Sequence, residues 1–352
     1  MIQSIESSMS LEIVKLLTEI DEFKGSWRVY QNIAPERLQA LRQVATIESV
    51  ASSTRIEGVK LTDREVARLL QDLKQREFTT RDEQEVAGYA EVMERVFESH
   101  SNIPLTENHI KQLHSLLLQF STKDERHRGA YKTLSNSVAA FDATGKEIGV
   151  IFETSTPFET PMRMTEMIRW TNQVLSDALL HPLIVIAVFT VKFLAIHPFQ
   201  DGNGRLSRIL TTLLLLKAGY SYVPYSSMES VIESNKQQYY LALRRTQISL
   251  QRDEDTPDWL PWFTFFLRSM RKQKDNLLRK VERERQFLQA MPKLDAEILQ
   301  LVRENGRTTT PEIVMATQAT RANVRKRLTA LVSNNLLQQH GRSTGTWYTL
   351  PL

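Results

Sequence analysis

Apolar residues recur at intervals of three and four along most of the chain, which is the spacing of amphipathic helices. The segment "RLQALRQVATIESVASSTRIEG", residues 37–58, has this spacing and stops at Gly58, a residue suited to a left-handed C-terminal cap. The next helix is predicted to begin after Thr62, whose side chain suits an N-cap. Further helices are predicted at residues 82–99, 106–119, 160–179, 182–196, 203–218, 227–250 and 257–288. The chain is therefore predicted to be mainly α.

One interior stretch, "SNSVAAFDATGKEIGVIF" at residues 135–152, departs from helical spacing. Two short segments flank the turn-forming residues "DATG", and β-branched residues are concentrated in the second segment. This pattern predicts a β-hairpin that projects from the helical body.

Beyond a break at Pro292, the C-terminal part has its own pattern of elements. Three helical segments are followed by two short strand-like segments around a turn rich in Gly and Ser. Thr310 and Thr320 are predicted N-caps, and Pro311 lies at the favoured first helical position. Three helices and a terminal hairpin predict a winged helix-turn-helix at residues 292–352.

The composition is that of an ordinary soluble globular protein, with 41% hydrophobic and 24% charged residues among 352. The 45 basic and 41 acidic residues are too balanced to indicate a nucleic-acid coat or a membrane-surface protein. The absence of cysteine excludes disulfides, thiolate metal sites and cysteine nucleophiles. The longest apolar run, "LIVIAVFTVKFLAI" at 183–196, is shorter than the roughly 20 residues of a membrane span and contains a lysine. We expect a cytoplasmic protein that does not enter a membrane.

Directly after that run, "AIHPFQDGNGRLSR" at 195–208 concentrates polar groups. Gly202, Asn203 and Gly204 allow backbone N–H groups to approach an anion closely, at the start of a predicted helix. Arg205 and Arg208 lie three residues apart on one face of that helix, where two guanidinium groups can converge on a polyphosphate.

Two further side chains of this segment suit the chemistry of phosphate esters. Asp201 can bind Mg²⁺, which proteins usually hold with one or two carboxylates and phosphate oxygens. His197 has an ordinary pKa near neutrality and can accept a hydroxyl proton. Singly, each feature has an ordinary explanation: a capping histidine, a turn, a solvated helix face. Together they suit attack by a hydroxyl on a phosphoryl or nucleotidyl group.

Residues 197–208, "HPFQDGNGRLSR", resemble the signature of the Fic family, His-x-Phe-x-(Asp or Glu)-Gly-Asn-Gly-Arg-x-x-Arg, at every fixed position. The best-known activity of that family is the transfer of AMP from ATP to a Ser, Thr or Tyr hydroxyl of a target protein. The resemblance implies a role for each matching residue: His197 as general base, Asp201 as Mg²⁺ ligand, Asn203 and the loop N–H groups around the α-phosphate, Arg205 and Arg208 on the outer phosphates, and Phe199 as an anchor in the core.

A second segment, "SSTRIEG" at 52–58, resembles the inhibitory motif of the same family, with Ser53, Glu57 and Gly58 at the fixed positions. The resemblance implies an inhibitory helix on the N-terminal side of the core. A carboxylate of Glu57 against Arg208 would take the guanidinium that the γ-phosphate of ATP uses. The alternative is an ordinary amphipathic helix that ends at glycine.

The hairpin at 135–152 also has a counterpart in that family, a flap that pairs with an extended segment of the target by strand addition. The alternative is a structural hairpin that covers the core. Tyr239 and Tyr240 lie where the family often has aromatic residues near the adenosine, although tyrosines at helical spacing are also typical of a core.

The resemblance and the pattern together predict an N-terminal helical region at 1–90, a catalytic core at 91–288 and the winged helix at 292–352. Four basic side chains fall on the predicted recognition helix: Arg321, Arg325, Lys326 and Arg327. Such a helix reads DNA in some proteins and docks or dimerises proteins in others. We therefore expect an autoinhibited adenylyltransferase that acts on a target protein or on itself. The alternatives are a nucleotide-sensing transcriptional regulator and an enzyme that removes AMP.

Overall fold

The computed structural model describes residues 2–30, 35–71, 73, 77–141, 147–334, 336–341 and 345–351. The chain divides into two compact units: Met1–Val29 with Leu41–Asn276, and Tyr30–Ala40 with Leu277–Leu352. The three-part division into 1–90, 91–288 and 292–352 stays a prediction.

The helices up to Ala290 confirm the mainly α fold class. In chain order they are α1 (Ile2–Ser7), α2 (Leu11–Tyr30), α3 (Pro35–Ile56), α4 (Asp63–Gln71), α5 (Arg81–Ser99), α6 (Glu107–Leu117), α7 (Thr160–Ser176), α8 (Pro182–Ile196), α9 (Asn203–Lys217), α10 (Met228–Ser234), α11 (Lys236–Arg252) and α12 (Leu260–Ala290). Thr62 forms the predicted cap of α4: its hydroxyl accepts a hydrogen bond from the Glu65 N–H at 3.3 Å.

Helix α8 lies at the centre of the first unit. Apart from Lys192, it is apolar on every side, so it has to be covered on nearly every side. Helices α7, α9 and α11 pack against it, and Trp262 of α12 donates its indole N–H to the Ala187 carbonyl at 2.8 Å. The next helix, α9, is also almost wholly buried. The loop between α8 and α9 is therefore held from both sides by a rigid core.

A second layer, α5 and α6, packs against α9. Within this layer, α5 and α6 approach each other closely at Gly88, where an added Cβ would overlap the backbone carbonyl of Leu117. Backbone atoms cannot move aside as a flexible side chain can, so the α5–α6 contact requires glycine at this position.

The hairpin at 135–152 is confirmed. Strands β1 (Ser137–Phe141) and β2 (Glu147–Glu153) pair antiparallel, with Ser137 opposite Glu153 and Phe141 opposite Glu147. The predicted turn "DATG" lies outside the described residues.

Two local predictions were wrong. The single helix predicted at 227–250 is two helices, α10 and α11, because Asn235 leaves the helical conformation and its side-chain amide donates to the Val231 carbonyl at 2.7 Å. The cap of the helix that begins at Thr310 is Thr309, not Thr310. Its hydroxyl and N–H bind Glu312, which reaches back as a capping box.

Beyond Ala290, the described residues of the second unit form three helices and a small sheet. The elements are α13 (Lys293–Asn305), β3 (Thr308–Thr309), α14 (Thr310–Thr317), α15 (Arg321–Ser333), β4 (Gln338–His340) and β5 (Trp347–Thr349). The unit also includes the end of α12 and the start of α3. The antiparallel strand order is β3–β5–β4, so one short strand joins the predicted hairpin. The cap at Thr320 is as predicted, since its side chain accepts from the Asn323 N–H. The name winged helix-turn-helix stays a prediction for this arrangement.

Among the described helices, none combines the length and the apolar character that crossing a bilayer would require.

We expect Gly88→Ala to lower the free energy of unfolding by about 1–3 kcal/mol, because the added methyl group forces α5 away from Leu117. Gly25→Ala on α2 is the matched control, since nothing lies within 4 Å of its added Cβ. In the control, the gain in helix propensity should raise stability by roughly 0.5–1 kcal/mol. Chemical unfolding followed by circular dichroism measures both, and equal stabilities of the two variants would contradict the close approach.

Candidate active site

His197 ends helix α8 in a left-handed backbone conformation, with φ of 52° and ψ of 61°. Its N–H donates to the Phe193 carbonyl at 2.8 Å, which caps the helix. Proline follows at position 198 and cannot continue the helical hydrogen bonding. The histidine therefore stands where the chain has to turn out of the core.

The imidazole of His197 is neutral and has a defined acceptor. Its Nδ1 lies 3.3 Å from the Leu194 carbonyl, which can only accept, so Nδ1 carries the proton and Nε2 has the free lone pair. Burial, followed by the positive charge of Lys132, lowers the pKa of His197 to about 4. Glu57 and Asp201 act in the opposite direction but do not outweigh these causes. At neutral pH, Nε2 can accept a proton.

The loop from Phe199 to Gly204 is fixed by side chains of its own. Asn203 accepts from the Phe199 N–H at 2.9 Å and donates to the Phe199 carbonyl at 2.7 Å. Phe199 itself is fully buried, in agreement with its predicted anchoring position. Gly202 has a φ of 79°, a conformation that favours glycine. The side chain of Asn203 is thus engaged in shaping the loop, which leaves the backbone N–H as its group for an anion.

The N-terminus of α9 offers an anion site. The first N–H groups of any helix have no partner inside the helix, and here they belong to residues 203–205. The carboxylate of Glu57 lies over Gly204, so close that an added Cβ would collide with it. A side chain at position 204 would therefore displace the carboxylate of Glu57 from the start of α9.

Arg208, on α9, points to the C-terminal end of α3. Its Nε donates to the Ser53 hydroxyl at 2.7 Å, and its Nη2 donates to Glu57 Oε1 at 2.8 Å. Burial raises the pKa of Glu57, but Arg208 outweighs burial and holds the pKa below its usual value. Both groups are therefore charged at neutral pH, and they form a partly buried ion pair.

Arg205 is directed to different acids from Arg208. Its side chain is 2% exposed, with Nη1 at 3.0 Å from Glu85 and Nη2 at 3.3 Å from Asp201. The two arginines thus do not share one acidic partner, although both line the same cleft.

Asp201 accepts a hydrogen bond from the Gly202 N–H at 2.5 Å, and Arg81 lies 3.6 Å from its second oxygen. Burial raises the pKa of Asp201, but Arg205 and the Gly202 N–H outweigh it and lower the pKa, so the group is a carboxylate at neutral pH. The described residues contain no cluster of three or more His, Cys, Asp or Glu side chains that could hold a metal. One carboxylate fits a Mg²⁺ ion that takes its other ligands from phosphate and water.

Sequence reasoning missed His114 of α6, which supports the loop from beneath. It is fully buried, and its ring stacks on Phe199 with a centroid separation of 3.8 Å. Nδ1 accepts from the Gly129 N–H at 2.8 Å, so Nε2 donates to the Asp201 carbonyl at 3.0 Å. Burial lowers its pKa to about 4, and the ring stays neutral. The spacing of α6 identifies His114 as a core position but contains no sign of this contact.

The cleft around His197 and Arg208 has a volume of about 150 Å³. Its walls include Glu57, the loop, and the α11 side chains Tyr239, Tyr240 and Gln247. Sites for ligands of nucleotide size usually enclose roughly 300–1,000 Å³. The cleft with Glu57 in place is therefore smaller than a nucleotide site.

Residues 104–215, which include α6, the hairpin, α7, α8 and most of α9, match the Fic/DOC family. The chain contains a Fic domain. A curated relative, the protein adenylyltransferase Fic of Drosophila melanogaster, is 44% identical over 64 residues. That match covers 18% of this chain and 13% of the relative, so the whole activity of the relative does not follow for this chain.

Two solved structures have the same fold. A Fic-domain signalling protein from Bacteroides thetaiotaomicron is 24% identical with a TM-score of 0.61, and the match covers 75% of this chain and 96% of that chain. A Fic family protein from Desulfovibrio desulfuricans is 23% identical with a TM-score of 0.61, and 97% of each chain is covered. At this identity the two matches establish the fold and nothing finer.

Proposed function

We propose that this Fic domain transfers AMP from ATP to a Ser, Thr or Tyr hydroxyl of a target protein, or of the chain itself. The observation that carries the proposal is a neutral imidazole with a free Nε2 on the same cleft as a helix N-terminus and the buried guanidinium of Arg208. The Fic-named adenylyltransferases that match part of the chain support AMP transfer in general.

In the proposed reaction, the hydroxyl oxygen attacks the α-phosphorus of ATP while His197 Nε2 removes its proton. A new phosphorus–oxygen bond forms, the bond to the β-phosphate breaks, and pyrophosphate leaves with the electron pair. The N–H groups at the start of α9 stabilise the charge that develops on the α-phosphate. Arg205 and Arg208 bind the outer phosphates. Mg²⁺, held by Asp201, would neutralise phosphate charge when bound.

We further propose that Glu57 inhibits this reaction. Its carboxylate binds the guanidinium of Arg208 and lies over Gly204, so it competes with phosphate for the same cation. A carboxylate at that position also repels an incoming phosphate. The small volume of the cleft supports this proposal.

The C-terminal end of α3 is clamped to the α10–α11 junction, and we propose that this clamp maintains the inhibition. Arg55 donates to both carboxylate oxygens of Glu233, at 2.6 and 3.0 Å. Lys236 donates to the Ile56 carbonyl at 2.7 Å, next to Glu57. These contacts determine where α3 ends and thus where the carboxylate of Glu57 lies.

For the second unit, we propose DNA binding through α15. This helix contains no acidic residue, and Arg321, Arg325 and Lys326 are exposed without an ion pair among the described residues. Arg327 differs, because it binds Asp295 and anchors α15 to α13. A helix with a free cationic face suits phosphate contacts in a DNA groove.

We expect Glu57→Gly to raise AMP transfer about 10- to 100-fold, because one charged hydrogen bond to Arg208 is worth roughly 1.5–3 kcal/mol. Adding His197→Ala should reduce transfer by about 10²- to 10⁴-fold, the usual contribution of a general base. Intact-mass spectrometry after incubation with ATP and Mg²⁺ measures AMP on the chain, with and without EDTA. AMP transfer that is undiminished by His197→Ala would overturn the base assignment.

Glu233→Gln should raise AMP transfer several-fold, since a partly exposed ion pair such as Arg55–Glu233 contributes about 1 kcal/mol or less. It should add little to Glu57→Gly, because both changes act through the same carboxylate. The matched control is Glu12→Gln, which breaks the surface pair with Arg268 on the same unit. An equal gain from the control variant, or full additivity with Glu57→Gly, would count against the clamp.

Combined replacement of Arg321, Arg325 and Lys326 by Ala should weaken binding of a fluorescent 24-base-pair duplex. The slope of log affinity against log salt should fall by about one unit for each cation that contacts a phosphate. Lys293→Ala, an exposed lysine of α13, is the control. Absence of binding at low salt, together with dimers in solution, would favour the dimerising alternative for this unit.

A further inference from the structure

A buried lysine, Lys132, connects the hairpin to the backbone that carries His197. Its side chain is 3% exposed, and its ammonium group has three acceptors. These are Asn136 Oδ1 at 2.8 Å, Thr154 Oγ1 at 2.9 Å and the Ile196 carbonyl at 3.0 Å. Three donors thus meet three acceptors, so the ammonium is fully satisfied.

The first two acceptors stand at the two ends of the hairpin. Asn136 directly precedes β1, and Thr154 directly follows β2. The Thr154 hydroxyl also donates to the Asn136 carbonyl at 2.7 Å, which ties the two ends to each other. The two ends of the hairpin are therefore held together at this pair.

The remaining contacts lead to the catalytic loop. Lys132 donates its backbone N–H to the Pro198 carbonyl at 2.8 Å. Asn136 donates its amide to the Phe199 carbonyl at 2.8 Å. With the contact to Ile196, the network holds the backbone on both sides of His197.

We propose that Lys132 is a positioning residue that fixes both ends of the hairpin to the His197 backbone, so that a target segment paired with the hairpin meets the imidazole. This inference rests on the proposed AMP transfer. It goes beyond that proposal because it names the residue that sets the position of the target segment relative to His197. That residue, Lys132, is a buried cation outside the cleft.

The charge of Lys132 has a second effect at the same position. Its hydrogen-bond acceptors are all neutral, and burial lowers its pKa to about 8, against a smaller opposing influence of Glu159. At neutral pH it is thus a cation without a bound anion. The groups whose charges act on His197 are Lys132, Glu57 and Asp201, and of these Lys132 is the cation that disfavours imidazolium. Removal of this charge should therefore move the pKa of His197 upward.

The test compares Lys132→Met and Thr154→Val in the Glu57→Gly background, with Lys217→Met as the control. Lys132→Met keeps an unbranched side chain of similar volume but removes the charge and the donors. Thr154→Val removes the hydroxyl that ties the two hairpin ends and keeps the lysine, so it reports on the network even if Lys132→Met folds poorly. Lys217 is exposed at the end of α9.

We expect amide hydrogens of residues 137–141 and 147–153 to exchange at least about tenfold faster in both variants than in the control, as lost hydrogen bonds favour local opening. As the pH is lowered, the initial rate of AMP transfer onto the chain should begin to fall at a higher pH in Lys132→Met than in the parent or in Thr154→Val. In NMR, the His197 imidazole, assigned with His197→Asn, should titrate at higher pH in Lys132→Met than in the control.

Unchanged exchange of the two strands in both variants would overturn the positioning role. An unchanged His197 titration in Lys132→Met would overturn the electrostatic role. Exchange and NMR require no AMP transfer. An inactive Glu57→Gly parent would therefore contradict the proposed function and still leave the Lys132 network testable.

Discussion

The chain has to leave one fully buried helix and enter another within six residues, and this constraint generates the candidate site. Helices α8 and α9 are both buried along nearly their whole length, so neither can shift to relieve the connection. Three features make this connection possible: the left-handed turn at His197, the positive φ of Gly202 and the contacts of Asn203 to Phe199. The same turn directs the first N–H groups of α9 and the imidazole into one cleft. The proposed chemistry and the connection between the two helices thus depend on the same few residues.

Each buried arginine of this region is paired with carboxylates, and these ion pairs determine which charged ligand the cleft can bind. Arg205 is neutralised by Glu85 and Asp201 from its own surroundings, whereas Arg208 depends on Glu57 at the end of a separate helix. A buried guanidinium that loses its carboxylate has to acquire another anion or pay the cost of burial. Arg208 therefore needs an anionic partner. Glu57 is that partner in this structure, and a bound phosphate would take its place.

Sequence patterns were sufficient to predict the elements that depend on interactions between residues close together in the chain. Periodicity identified α3, α8 and α9, the hairpin and the caps at Thr62 and Thr320, because each depends on neighbouring residues. Periodicity failed at Asn235, where a side chain competes with the helix, and at Thr309, one residue from the predicted cap. Periodicity also did not identify His114 and Lys132, whose side chains hold the backbone of the site in place. They lie 83 and 65 residues before His197, and their spacing is that of ordinary core and loop positions.

The proposed inhibition and the proposed nucleotide site are linked through one cation, and that link is reciprocal. If phosphate and Glu57 compete for Arg208, any influence that loosens the end of α3 strengthens nucleotide binding by the same free energy, and bound nucleotide loosens α3 equally. The clamp residues Glu233 and Lys236 flank the junction at Asn235, and Tyr239 and Tyr240 of the cleft wall begin one turn later. A ligand that displaces those tyrosines would therefore move the helix that holds Lys236, and so disturb the contacts of Glu233 and Lys236 with the end of α3. The break between α10 and α11, absent from the sequence prediction, is thus a point at which the end of α3 contacts the helix that forms one wall of the cleft.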